Sequence, residues 1–130
     1  MKEIVVSISP GNWELIKSGG LTVLVTKSAP GEIFFPLRVL LHIPEIGFVG
    51  ELYCNEIRET IRPEQFAGAG KSCIPERTLH RTAAGSALFG LKIKPESILK
   101  YPHPLTFKQL TRTKTDICQY FDSVKVEQDE

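Results

Sequence analysis

The chain has no apolar run of the roughly 18 residues that a membrane helix needs. Its longest candidate, Ile33 to Ile43, is interrupted by Pro36 and Arg38. The start, M-K-E-I-V-V-S-I-S-P, is too short in apolar residues for a leader peptide and carries Glu3, so neither a membrane role nor secretion is expected. Cysteine is scarce: Cys54, Cys73 and Cys118 are an odd number with no close pair. That argues against a disulfide framework and suits buried or free thiols in a cytoplasmic protein. With His42, His80 and His103 the cysteines show no ligand-pair spacing, so no metal and no other cofactor is expected. Catalytic signatures are missing as well. No serine-hydrolase spacing occurs, and Gly68-Ala69-Gly70-Lys71-Ser72 only partly matches a phosphate loop, because the full spacing would put glycine at Gln65. A backbone cradle for one phosphate and a mobile loop remain the two readings of that stretch.

A strong net charge is also lacking; the balance is +1 over 130 residues. Its distribution is uneven. Residues 1–57 hold four Lys/Arg against six acids, residues 58–114 eleven against four, and residues 115–130 one against five. A basic middle between acidic ends predicts one positive face, the footprint of a phosphate-bearing partner. Its alternative is charge scattered over loops.

What is present is a chain of ordinary globular composition, 42% apolar and 24% charged, long enough for one core without staples. One domain over residues 1–126 is expected, with a frayed acidic tail at 127–130. Ile4 to Ile8 reads as a first strand. Ser9 can cap a helix that starts at Pro10, Trp13, Leu15 and Ile16 give it an apolar side, and Gly19-Gly20 stops it. Leu21 to Val25 is a buried strand by its β-branched content. Glu32 to Ile43 is the strongest strand signal; Pro36 would place it at an edge or a bulge and leave dimerisation open. Phe48 to Ile57 pairs with it as a hairpin, Phe48, Leu52 and Cys54 facing one way and Val49, Glu51 and Tyr53 the other. Pro75 to Ala83 is a second helix with Arg77, His80 and Arg81 on one face. Leu88 to Ile93 is a strand that Ile98-Leu99 extends, Phe107 to Leu110 a helical turn, and Ile117 to Val126 the closing strand. The expectation is an α+β, mostly β protein: a small mixed or antiparallel β-barrel with two or three short helices, or else an open sheet.

Several stretches in this order resemble the ASCH family, within the PUA-like superfamily. They are Ser7-Ile8-Ser9-Pro10, the Trp13 to Lys17 helix, and Ser18-Gly19-Gly20 leading through Leu21-Thr22-Val23-Leu24-Val25-Thr26-Lys27. Phe48-Val49-Gly50-Glu51-Leu52-Tyr53-Cys54-Asn55-Glu56-Ile57 is similar to a strand of the family's phage and mobile-element members. Phe89-Gly90-Leu91-Lys92-Ile93 and Pro104-Leu105-Thr106-Phe107 match two later segments. The resemblance implies a PUA-like barrel. It also implies a comparison with the family's small amidohydrolases acting on acetylated cytidine, in which a lysine and a threonine of the second strand are implicated. Those two positions are Leu21 and Leu24 here, and the family arginine falls on Thr26. The enzymatic reading is thereby disfavoured, with Lys27 and Glu51 the polar groups left as catalytic candidates. Glu51 could equally pair with Lys27 or Arg38 across strands.

The basic residues give the leading expectation: Arg58, Arg62, Lys71, Arg77, Arg81 and Lys92 line one cleft and contact phosphates. Phe66 and Tyr101, in loops, are the accessible stacking residues, while Trp13 is a core anchor. The expected partner is RNA or another single-stranded nucleic acid, bound by a monomer or weak dimer. A nucleoside- or RNA-processing hydrolase with an altered site, and a protein-interaction module using Pro102 to Pro104, are the alternatives.

Overall fold

β1 (Glu3–Ser7) is buried along its whole length, so it needs neighbours on both edges and cover on both faces. In the computed structural model, which describes residues 3–32, 34–111 and 117–126, it has both. β3 (Leu37–Ile43) and β7 (Ile117–Asp122) flank it in parallel. β4 (Gly47–Thr60), β5 (Leu88–Ile93) and β2 (Val23–Thr26) continue the sheet with antiparallel pairings, in the order β2-β5-β4-β3-β1-β7. β6 (Leu99–Leu105) branches onto β4. The two ends of this curled sheet meet where Thr26 bridges Ser123 and the Val124 amide donates to the Val25 carbonyl at 2.8 Å. With three α-helices, the result is the mostly-β, mixed α+β half-barrel that the sequence predicts.

The inner face carries Ile4, Val6, Val39, Leu41, Leu52 and Leu91, and α1 (Pro10–Ser18) closes it with Trp13 and Ile16. α1 starts where expected. The Ser9 hydroxyl accepts from the Asn12 amide at 3.1 Å, the Asn12 side chain accepts from the Ser9 amide at 3.2 Å, and Gly19 ends the helix at φ 86°. The outer face has a smaller apolar cluster of Val5, Leu40, Phe48 and Leu110, the last from α3 (Phe107–Thr111).

Four local expectations change. β3 starts at Leu37 and lies inside the sheet; Pro36 stands just before its first residue, so its missing amide costs no ladder bond. Ile33 lies outside the described residues, as do residues 127–130. In β4 the register slips, Leu41 facing Gly50 but His42 facing Phe48. This bulge puts Val49 in the inner core and turns Phe48 to the outer cluster, opposite to a simple alternation. Residues 99–105 form their own strand on β4 and do not extend β5. Finally, the glycine-bearing loop after residue 66 is stitched down. Gly68 donates to Ile74, Lys71 and Cys73 to Gly68, Ser72 to Phe66, and Gly70 to Gly20.

α2 (Glu76–Ala83) ends at Ala84, which holds a left-handed conformation at φ 49° although Gly85 follows it. Replacing Ala84 by glycine relieves a Cβ clash with the backbone and is expected to stabilise the protein by about 0.5–1 kcal/mol. Urea unfolding checks this; a lower midpoint would contradict it.

Candidate nucleic-acid interface

Two basic grooves are lined by separate sets of residues. The first, of about 290 Å³, is lined by Thr22, Val23 of β2, Glu56 and Arg58 of β4, Gly90 and Lys92 of β5, Gln65 and Phe66 of a short 3-10 helix (Pro63–Phe66), and Lys71. Pairing explains the convergence. Lys92 lies opposite Val23 on one side of β5 and Glu56 on the other, and Arg58 lies opposite Gly90. Lys71 is fixed beside β2 because its carbonyl accepts from the Thr22 and Val23 amides at 2.8 and 3.2 Å. Gly90 lets the Phe66 ring lie against the sheet; a Cβ there would fall 2.6 Å from a ring carbon. Arg58 Nη2 donates to Glu56 Oε2 at 3.0 Å. Among the described residues, Lys71 and Lys92 have no carboxylate partner. The amides of Gly70, Lys71 and Ser72 are all bonded to backbone carbonyls, so this loop offers no phosphate cradle at those positions.

The second groove, of about 570 Å³, brings together Lys27, Arg81 and Lys125 with Asp122. Lys125 Nζ donates to the carbonyls of Ser7 and Ser123, both at 3.2 Å. The basic residues expected in a single cleft are therefore divided. Arg58, Lys71 and Lys92 share the first groove, Arg81 stands in the second with Lys27, and Arg62 and Arg77 are exposed outside both. The involvement of Lys27 and Lys125 beside Arg81 had no signal in local spacing.

The stacking residues sit differently from expectation. Phe66 is 5% exposed and packs with Ile74 and Leu79; it offers the groove an apolar wall and no open face. Tyr101 is half-buried in β6 and belongs to an ionic cluster on the outer face of the sheet. There Arg38 reaches both Glu51 oxygens at 2.7 Å and Glu3 at 2.9 Å, and the Tyr101 hydroxyl donates to Glu51 at 2.8 Å. Burial opposes the Arg38 charge, but the hydrogen bond and attraction to Glu51, and then Glu3, outweigh it and raise its pKa. Burial, followed by the bond to Glu51, pushes the Tyr101 hydroxyl well above its ordinary value, so it remains a donor. Glu51 is thus committed to Arg38 and Tyr101, while Lys27 lines the second groove. The two catalytic candidates do not form one site.

His42 and Cys54 sit in structural surroundings. His42 stacks on Phe48 and exchanges a 2.9 Å hydrogen bond with Tyr120, and burial lowers its pKa. Burial raises the Cys54 thiol, as suits an inert core cysteine. Leu21 and Leu24 are 2% and 1% exposed and belong to the inner core.

No family model and no curated protein matches the chain. Solved structures do match its fold. A tyrosine-to-phenylalanine mutant of the ASCH protein from Zymomonas mobilis superposes with a TM-score of 0.67 at 16% identity, covering 90% of this chain and 85% of that one. The ASCH protein from Zymomonas mobilis itself gives 0.65 at 17% identity, covering 88% and 80%. The chain therefore shares the α+β fold of these ASCH proteins.

Proposed function

We propose that the protein binds RNA or another single-stranded nucleic acid along the first groove. The observation that carries this is the convergence of Arg58, Lys71 and Lys92 from three separate segments on one groove. Three cations so placed match the phosphates of a bent or splayed strand, and each neutralised phosphate releases counterions. Gln65 adds an amide that can donate to or accept from a base edge, and Phe66 supplies an apolar wall. Recognition is then by charge and shape, with little base discrimination. A hydrolase reading has no comparable support, since Lys27 and Glu51 are apart and the family's polar strand positions are core leucines.

The test is a salt series with a labelled, mixed-sequence single-stranded RNA. For the wild type, log affinity falls linearly with log salt. Replacing Arg58, Lys71 and Lys92 together by alanine is expected to reduce that slope by about 2, at roughly 0.7 per lost phosphate contact on a single strand. Lys100→Ala, on β6 away from the groove, serves as the control and leaves affinity unchanged. No wild-type binding at low salt, or equal slopes for wild type and triple variant, would remove the groove from the account.

A further inference from the structure

A mixed cluster of metal-ligating groups joins α2 to the short 3-10 helix. Glu76 and His80 are one turn apart on α2 and share a face. Glu64 comes from the 3-10 helix, which packs on α2 through Phe66, Ile74 and Leu79. His80 Nε2 stands 3.3 Å from Glu64 Oε1 and 3.5 Å from Glu76 Oε2, and one donor atom from each residue lies within 4.8 Å of the others. An ion held at about 2.0–2.2 Å by each ligand needs donors about 3.0–3.5 Å apart in tetrahedral or octahedral geometry. The two His80 distances meet that requirement.

We propose that Glu64, Glu76 and His80 bind one divalent transition-metal ion of the zinc, cobalt or manganese class. Two carboxylates balance the charge, and the imidazole nitrogen turns the preference away from the all-oxygen sites of magnesium and calcium. All three side chains are exposed, so the ion keeps water in its remaining positions. Two sequence neighbours of the ligands line the grooves, Gln65 the first and Arg81 the second. The ion cross-links the 3-10 helix to α2 and cancels two negative charges there. The proposal stands independently of nucleic-acid binding, because the probe is the metal alone.

The experiment titrates the full chain with Zn²⁺ by calorimetry and with Co²⁺ by absorption. One ion per chain is expected to bind saturably in the micromolar range, and His80→Ala and Glu64→Gln should each weaken binding by about tenfold or more. The Co²⁺ spectrum should lack a strong thiolate band, which separates this site from any use of the cysteines. A His80 ring merely in contact with two acids, with no ion, is the competing account. No saturation below about a millimolar, affinity unchanged in both variants, or a thiolate band would overturn the site. Circular dichroism of the variants, whose changes are at exposed positions, confirms that they fold.

Discussion

Replacing Arg38 by leucine is expected to destabilise the protein by about 3–5 kcal/mol, because it removes the cation that bonds two buried carboxylates. Glu3 and Glu51 are 6% and 7% exposed and both depend on the same guanidinium. The register explains the arrangement. Glu3 lies opposite Arg38 across β1 and β3, while Glu51 lies opposite Leu40, two residues along β3 on the same face as Arg38. Leucine fills much of the space but answers neither charge. For a domain of this size the loss corresponds to a melting temperature lower by roughly 10–20 °C. Thermal unfolding of both proteins at neutral pH checks this. A variant within about 1 kcal/mol of wild type would show that the cluster is not held together by Arg38.

A second large effect is expected from Gly50→Ala. Gly50 is crossed by β6 on β4 and faces Leu41 across β3. A Cβ at this position would fall 2.5 Å from the Leu99 carbonyl oxygen and 2.7 Å from the Trp13 ring. The ring could shift, but the carbonyl belongs to the backbone of a paired strand. One methyl group therefore has to displace either β6 or the residue that anchors α1. A cost of about 3 kcal/mol, at the upper end for overpacking, follows. Because the chain has a single tryptophan, its fluorescence reports on Trp13 directly. The expected result is a lower unfolding midpoint together with red-shifted emission as Trp13 gains water. Wild-type midpoint and emission would mean that the contact is slack.

The relation between sequence and structure can be followed through these residues. Ser9, Pro10 and Gly19 act on atoms within a few positions, so the start and end of α1 were legible before any fold was known. Burial at Trp13 was legible for the same reason: an aromatic on the apolar side of a capped helix must be covered. Pro36 misled, because a strand signal that includes proline does not say on which side of the residue the ladder begins. Phe48 misled, because a one-residue bulge exchanges the two faces and leaves the residue types unchanged. The Glu64, Glu76 and His80 cluster escaped notice because Glu76 and His80 show only a common helical spacing and Glu64 arrives from another element.

By itself the sequence determined the class of the protein, mostly β with two or three short helices, and the resemblance to the ASCH family that the matching fold supports. It also identified a basic middle segment. The tertiary structure decided how that charge is used. Cross-strand pairing placed Arg58 and Lys92 on neighbouring strands, and the stitched loop brought Lys71 to their rim. Arg81 lines a separate groove, with Lys27 and Lys125. Local propensity acts over a few residues and sets helices and strands. Grooves form from residues tens of positions apart, whose meeting depends on strand order and register.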